Sequence, residues 1–191
     1  LSIKEISEII IDRLISDKII EREDAEMYTY GLQQVCMNLV NTIVLMIMGI
    51  YMQMLFETVI FVISFKAFRK YAGGYHSKTR LGCFALTNAV VLVVLSVMKY
   101  LRVNISIYLG LYLMSVLIIF MFAPVETENK KLDSIERVIY RKRAIIVLIV
   151  QSIIVGVLLI FKWYVISKCI ILGGIALCCS MIFGMLNTYL N

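Results

Sequence analysis

The residues with the clearest capacity for chemistry are a cysteine and the single histidine of the chain. His76 precedes Cys83 by seven residues in the polar segment 69–83, which reads RKYAGGYHSKTRLGC. A thiol with an imidazole as its base is the minimum equipment for nucleophilic catalysis by cysteine. On one unbroken helix the two side chains would share a face but lie about 10.5 Å apart along the axis. Proton transfer needs about 3 Å, so the chain between them must bend.

Glycines provide the means for this bend. Gly73, Gly74 and Gly82 would let the histidine-bearing segment fold as a loop over the start of the following helix. Cys83 would then lie in the first turn of that helix, where the helix dipole and free N–H groups stabilise a thiolate. The same N–H groups could form an oxyanion hole. Four bases add positive potential to the segment: Arg69, Lys70, Lys78 and Arg80. We therefore predict that His76 and Cys83 form a catalytic thiolate–imidazolium pair.

The residue that orients the histidine is left open, because no acidic residue occurs between Lys66 and Lys99. The amide side chains that could serve are Gln33, Gln34, Asn38, Asn41 and Asn88. For any single one of them, a hydrogen bond between helices is the better explanation. Glu57 is the one acid within an apolar run, and we expect it far from Cys83, as a possible partner of Lys99 or Arg102.

Composition places these residues in a membrane protein. The chain of 191 residues is 61% hydrophobic and has a mean hydropathy of +0.91, well above the apolar share of a soluble domain. Its net charge of +6 is then better explained by membrane orientation than by nucleic-acid binding, and we expect no nucleic-acid partner. The five cysteines show no CxxC or His-paired spacing, so no metal, cofactor or disulfide framework is predicted.

The order of polar and apolar runs predicts an all-α, polytopic fold with about six transmembrane helices in a single membrane domain. Residues 1–30 carry eight acids and four bases around a helical apolar stripe, which indicates an amphipathic cytoplasmic or interfacial helix. The 38 apolar residues from 33 to 70 are too long for one span, so they are divided into two. The predicted spans are 33–51, 53–70, 83–98, 105–122, 144–161 and 165–190, with a catalytic loop at 71–82 and a basic loop at 124–143.

Basic residues predict the orientation of these spans. With the N-terminus inside, segments 1–32, 66–82 and 124–143 hold four, five and six Lys/Arg, which is fifteen of the nineteen. The other four, Lys99, Arg102, Lys162 and Lys168, fall on the opposite side. This bias follows the positive-inside rule. We therefore expect His76 and Cys83 at the cytoplasmic face, where thiols stay reduced.

The segment 69–83 resembles the signature of the AgrB family, membrane-embedded cysteine peptidases that process quorum-sensing propeptides. In that family an Arg precedes a Gly-containing turn, the catalytic His and then the catalytic Cys, as Arg69, Gly73, Gly74, His76 and Cys83 do here. The stretch 122–143, FAPVETENKKLDSIERVIYRKR, is also similar to the family in its Ala-Pro pair, Lys pair and basic cluster. The resemblance extends to length, number of spans and order of parts.

The resemblance implies a cysteine endopeptidase in a bacterial cell membrane, in a lipid bilayer and as a homodimer. Its substrate would be a propeptide with an acidic C-terminal tail, cleaved through an acyl-enzyme thioester that allows thiolactone cyclisation. The basic loops would hold the acidic tail. The residues expected to bind it are Arg69, Lys70, Lys78, Arg80, Lys130, Lys131, Arg141, Lys142 and Arg143.

A small transporter or exporter of the signal peptide is the alternative. Such a protein would need ionisable residues or broken helices at mid-membrane. Gly173 and Gly174 in the last apolar run are the only indication of a broken helix, and close packing of small residues explains them more simply. A zinc protease is excluded because the chain lacks an HExxH motif and has one histidine.

Overall fold

The computed structural model describes residues 3–75, 77, 79–126 and 133–190, in two compact units. Four residues of the predicted site, His76, Lys78, Lys130 and Lys131, lie outside the described residues. All regular elements of the described chain are helices, together with one isolated backbone bridge between Gly73 and Val125. The predicted all-α class is thus confirmed.

The first unit, residues 1–47, contains helix α1 (Ile3–Ser16), a short 3-10 turn (Arg22–Asp24) and most of helix α2 (Ala25–Tyr51). The polar N-terminal stretch is therefore divided rather than one helix. Lys18 has a φ of 55°, and the amides of Lys18 and Ile19 donate to the carbonyls of Ile15 and Leu14. These bonds form a Schellman motif, which ends α1. The second helix begins before the apolar run that predicted it.

The second unit, residues 48–191, holds the end of α2 and five further helices. They are α3 (Leu55–Ala72), α4 (Arg80–Tyr100), α5 (Ile105–Phe122), α6 (Ser134–Ile160) and α7 (Tyr164–Leu190). Side-chain caps fix three of their starts. Thr79, Asn104 and Asp133 each accept a hydrogen bond from an amide of the first turn of α4, α5 and α6, respectively.

Helix α7 is the central helix of this unit. In α7, more than half of the most apolar 18-residue stretch is buried inside the protein. In the corresponding stretches of α4, α5 and α6 the buried share is about a fifth. Helix α7 packs most closely on α3, then on α5 and α6, while α4 makes smaller contacts to α3 and α7. A Cβ on Gly173 would lie 2.8 Å from the Ser64 hydroxyl, and one on Gly174 would lie 2.8 Å from the Tyr112 ring. Since α7 is continuous through both glycines, they serve close helix packing and not a break.

Five helices of the described chain, α2, α4, α5, α6 and α7, are long and apolar enough to cross a membrane. Helix α3 coincides with the predicted span 53–70 but carries four charges in 18 residues: Glu57, Lys66, Arg69 and Lys70. It is nevertheless well packed, and its Ser64 hydroxyl donates to Gln151 of α6 at 2.6 Å in a buried pair. A polytopic, all-α membrane protein is therefore the observed fold, and the count of six spans stays a prediction.

One end of the second unit collects most of its basic residues. The C-terminal end of α3 bridges to the segment after α5 and contacts both the first turns of α6 and the last turns of α7. The start of α4 lies at the same end. We call this region the basic end. The described basic residues there are Lys66, Arg69, Lys70, Arg80, Arg137, Arg141, Lys142 and Arg143.

Candidate functional site

The site begins at the turn that ends α3. Gly73 has a φ of 78°, a conformation that side chains with a Cβ rarely adopt. Its N–H donates to the Arg69 carbonyl, and the Val125 N–H donates to the Ala72 carbonyl at 2.9 Å. A Cβ at Gly73 would clash with the Val125 carbonyl. The turn after α3 is therefore held against the extended chain that follows α5.

Arg69 holds the loop that leaves this turn. One of its terminal nitrogens, Nη1, donates to the Ser180 hydroxyl at 3.0 Å, and the other, Nη2, donates to the Tyr75 carbonyl. The guanidinium also lies over the Phe65 ring, 5.6 Å from the ring centroid. Because the guanidinium is planar, its two donors fix the direction of the loop as well as its distance.

The loop then contacts α7 backbone to backbone. The Tyr75 N–H donates to the Ser180 carbonyl at 2.9 Å, and the Tyr75 ring meets the Phe183 ring edge-on at 4.8 Å between centroids. A Cβ on Gly184 would lie 2.9 Å from the Tyr75 nitrogen. Residues 73–75 are thus fixed from three directions, by α3, by the chain after α5 and by α7.

Beyond position 76 the chain returns to the start of α4. A Cβ on Gly82 would clash with the Ser77 hydroxyl and lie 2.9 Å from the Thr79 hydroxyl. Ser77 accepts weakly from the Thr79 N–H at 3.4 Å. Ser77 and Thr79 therefore pack against the first turn of α4.

Cys83 is half-buried in the first turn of α4. Its N–H already donates to the Thr79 carbonyl, and the Gly82 N–H donates to the Thr79 hydroxyl at 3.1 Å. These two amides are consequently engaged by the helix cap, so the expectation that the whole first turn offers free N–H groups is too broad. The dipole of α4 still favours a negative sulfur at this position.

Cys83 also lies within electrostatic range of the Arg69 guanidinium. Arg69, which holds the loop, therefore adds positive potential at this cysteine. Of the residues that the sequence assigned to the site, Arg69 and Cys83 are thus within electrostatic range of each other. The predicted partner His76 lies outside the described residues, between Tyr75 and Ser77, both of which have defined contacts.

Two of the predicted substrate-binding segments meet around one tyrosine. The ring centroid of Tyr71 lies 5.3 Å from the Lys70 ammonium and 5.8 Å from the Arg143 guanidinium carbon. The Tyr140 ring packs edge-on against the same ring, with 6.2 Å between centroids. Arg141 and Lys142 are exposed beside Arg143. Lys78, Lys130, Lys131 and the side chain of Arg80 fall outside what the structure describes.

An ion pair joins the chain that follows α5 to the start of α6. Arg137 donates through Nε and Nη2 to one carboxylate oxygen of Glu126, at 2.7 and 2.6 Å. Glu126 directly follows Val125, the residue that contacts Gly73. The capping box of Asp133 and Glu136 starts α6 just before Arg137. The described residues on either side of positions 127–132 therefore have fixed partners, and the predicted basic loop 124–143 is shorter in the structure because α6 begins at Ser134.

The candidates for orienting the histidine are divided between the two units. Asn88 donates through its amide to the Phe84 carbonyl at 2.7 Å, within α4. Gln33, Gln34, Asn38 and Asn41 belong to the first unit. At the opposite end of the second unit, Lys99 donates to the Met52 carbonyl at 2.9 Å. That carbonyl, and not Glu57, is the partner that the structure gives to Lys99.

The remaining thiols differ in their surroundings. Cys169 and Cys178 are buried in α7, Cys36 is half-buried and Cys179 is exposed. Within the described ranges, no three His, Cys, Asp or Glu side chains are grouped as metal ligands would be. Cys179 therefore offers an accessible thiol for comparison with Cys83.

Three residues of the site were missed by sequence reasoning: Val125, Ser180 and Gly184. Val125 approaches through a tertiary contact that no local pattern encodes. Ser180 and Gly184 interrupt the apolar run of α7 at a spacing of four, which places them on one face of the helix. This small, polar patch was the available signal for a close backbone approach.

Comparisons with known proteins relate most of the chain, and not the loop alone, to one family. The sequence pattern of the family described as AgrB, accessory gene regulator B, matches residues 7–183. An AgrB-like protein 2 of Clostridium perfringens strain 13 is 25% identical over 169 residues, covering 85% of this chain and 79% of the relative. An AgrB-like protein of Clostridium perfringens strain SM101 is similar to the same extent. No solved structure matches the chain significantly.

Proposed function

Because this chain belongs to the AgrB family of the accessory gene regulator system, we propose that it is an integral-membrane cysteine endopeptidase. Its substrate is a quorum-sensing propeptide, from which it removes the C-terminal tail. Cys83 is the nucleophile and His76 is its proton carrier. The reaction takes place at the cytoplasmic face of a bacterial cell membrane, and the protein acts as a homodimer.

The observation that supports this proposal is the fold of the loop over the first turn of α4. Ser77 lies against Gly82, and Tyr75 is held by Arg69 and Ser180. His76 is between these two anchored residues, and Cys83 follows Gly82. The pair requires a bend between positions 76 and 83, because an unbroken helix would keep the two side chains about 10.5 Å apart along its axis. The Arg69 guanidinium lies within electrostatic range of Cys83, and the positive end of the α4 dipole lies at the same turn.

The first step is acyl transfer to the enzyme. The Cys83 thiolate attacks the carbonyl carbon of the scissile peptide bond and forms a C–S bond. The C–N bond breaks, and the imidazolium of His76 gives its proton to the leaving nitrogen. The tail departs with a free amino terminus, and the signal segment remains as a thioester on Cys83.

The second step transfers the acyl group away from the enzyme. A cysteine thiol within the signal segment gives its proton to His76 and attacks the thioester carbonyl. A new C–S bond forms as the bond to Cys83 breaks, so the product is a thiolactone and the Cys83 thiolate is restored. One thioester replaces another, which makes the exchange nearly neutral in free energy and removes any need for ATP.

The basic end provides a receptor for the acidic tail. Lys70 and Arg143, which flank Tyr71, come from two different helices and present two positive charges at one place. The exposed Arg141 and Lys142 extend this positive surface. Charge of this sign attracts an acidic peptide and determines which end of it approaches the loop. The other residues of the receptor are Arg69, Lys78, Arg80, Lys130 and Lys131.

The test is cleavage of an acidic-tailed propeptide by purified protein in liposomes. Cys83→Ala and His76→Ala should each abolish release of the tail, while Cys179→Ala, which removes an exposed thiol, should retain most of the activity. Intact mass measurement of trapped wild-type enzyme should show the signal segment attached through a base-labile bond. Undiminished cleavage by properly inserted Cys83→Ala would refute the proposal.

A further inference from the structure

We infer that Ser180 of α7 is a positioning residue for the catalytic loop. The inference rests on the proposed peptidase function and adds to it a residue from the last helix. Ser180 does not touch the reacting atoms. It holds Arg69 and Tyr75, the residue that directly precedes His76 in the chain, in one arrangement.

Ser180, Arg69 and Tyr75 are joined by three hydrogen bonds, which we call the Ser180 network. Its hydroxyl accepts from Arg69 at 3.0 Å, its carbonyl accepts from the Tyr75 N–H at 2.9 Å, and Arg69 donates in turn to the Tyr75 carbonyl. A helical carbonyl has two lone pairs, so it can accept the loop amide in addition to a bond within the helix. Each of the three residues is thus bound to the other two.

Glycines in the loop and in α7 leave room for the Ser180 network. Gly74 has a φ of 122°, and a Cβ there would lie 2.8 Å from the Ser180 hydroxyl. A Cβ on Gly184 would lie 2.9 Å from the Tyr75 nitrogen. Ordinary apolar packing between a loop and a helix does not require backbone contact at this distance. The glycines permit the approach that the two hydrogen bonds to Ser180 require.

The Ser180 network connects Ser180 with Cys83 through Arg69. Arg69 is the cation within electrostatic range of the thiol, and the Ser180 hydroxyl is one of its two described hydrogen-bond acceptors. Removing the hydroxyl leaves the Tyr75 carbonyl as the one described hydrogen-bond acceptor of the guanidinium, with the Phe65 ring against its face. The charge and the loop then lose their fixed orientation, whereas the basic surface around Tyr71 is unaffected. Removing the hydroxyl should therefore lower kcat and the reactivity of the Cys83 thiol, and it should leave KM nearly unchanged.

The experiment uses the full chain with Cys83 as its only cysteine, reconstituted in liposomes. Two quantities are measured: the rate of Cys83 alkylation by iodoacetamide, and kcat and KM for an acidic-tailed propeptide. Ser180→Ala should lower the alkylation rate and kcat about tenfold, as for a lost hydrogen bond to a charged group. KM should change less than about twofold. Ser180→Thr, which keeps a hydroxyl, should recover most of both rates.

The matched control is Ser167→Ala, which removes a buried serine hydroxyl from the opposite end of α7. It should alter neither rate. Gly184→Ala is the second test variant, because it displaces Tyr75 while Ser180 keeps its hydroxyl; it should lower both rates as well. Unchanged rates in Ser180→Ala, or equal losses in Ser167→Ala, would overturn the inference. Cleavage that does not depend on Cys83 would instead refute the proposal that Cys83 is the nucleophile of the peptidase. The alkylation rates would still test the role of Ser180, because they are measured without the propeptide.

Discussion

Val125 and Gly73 lie so close together that the carbonyl oxygen of the first occupies the space that a Cβ on the second would need. The two residues are far apart in the chain and are joined as an isolated parallel bridge. The contact fixes the turn after α3 against the chain that enters the basic loop. It makes Gly73 the residue on which both loops of the site depend.

Replacing Gly73 by alanine should therefore damage the site directly. The added methyl group meets the Val125 carbonyl, and the φ of 78° is unfavourable for alanine. We expect a loss of about 1–3 kcal/mol in stability and a large fall in propeptide cleavage. Thermal unfolding in detergent and a cleavage assay measure the two effects. Gly110→Ala, at an open position of α5, should change stability by less than about 1 kcal/mol and leave cleavage intact.

Reversing the charges that flank Tyr71 should weaken binding of an acidic tail. The double variant Lys70→Glu/Arg143→Glu replaces two attractive charges by two repulsive ones, so we expect KM to rise roughly five- to tenfold with a smaller effect on kcat. A propeptide with a basic tail should regain affinity for this variant. Added salt should weaken wild-type binding, because exposed charges are screened over about 10 Å at 0.1 M.

The control for this experiment is Arg102→Glu/Lys162→Glu, which changes the same number of charges at the other end of the second unit. It should leave KM near the wild-type value. If both double variants raise KM equally, the rise in KM is caused by the change in net charge. Lys70 and Arg143 would then not be the receptor for the tail.

Glu126 should compete with the tail of the substrate for Arg137. Its carboxylate holds Arg137 at 2.6 Å, although the arginine side chain is 62% exposed. In Glu126→Gln the guanidinium loses its charged partner and is available to the tail, so KM should fall about two- to fivefold. Stability should change by less than about 1 kcal/mol, as for other exposed ion pairs. The gain should vanish in Glu126→Gln/Arg137→Gln, and its persistence there would show that Arg137 is not involved.

The orientation of the site in the membrane is tested by single-cysteine labelling in a background without native cysteines. The distribution of basic residues predicts that Leu101→Cys reacts with an impermeant maleimide added from outside the cell, and that His76→Cys does not. Permeabilised cells should label at both positions. Strong external labelling at position 76 in intact cells would contradict a cytoplasmic site.

The sequence predicted those parts of the site that are encoded locally. Gly73 and Gly82 marked the bend, and Cys83 fell in the first turn of a helix because Thr79 caps that helix. Tertiary contacts were out of reach: nothing near Arg69 indicates that its hydrogen-bond acceptor is Ser180, which is 111 positions away. The start of α2 was misplaced because a helix can begin in polar sequence, well before the apolar segment that a hydropathy pattern detects.

The separation between Arg69 and Ser180 also has a consequence for the time course of synthesis. Translation proceeds at about 5–20 residues per second, so Ser180, which lies 111 positions after Arg69, appears about 6–22 s later. During that interval α3 and α4 have been made, but the acceptors on α7 for Arg69 and Tyr75 do not yet exist. The loop can reach its final arrangement only after the last helix is in place. A nascent chain therefore carries the thiol of Cys83 for many seconds before the surroundings that would activate it are assembled.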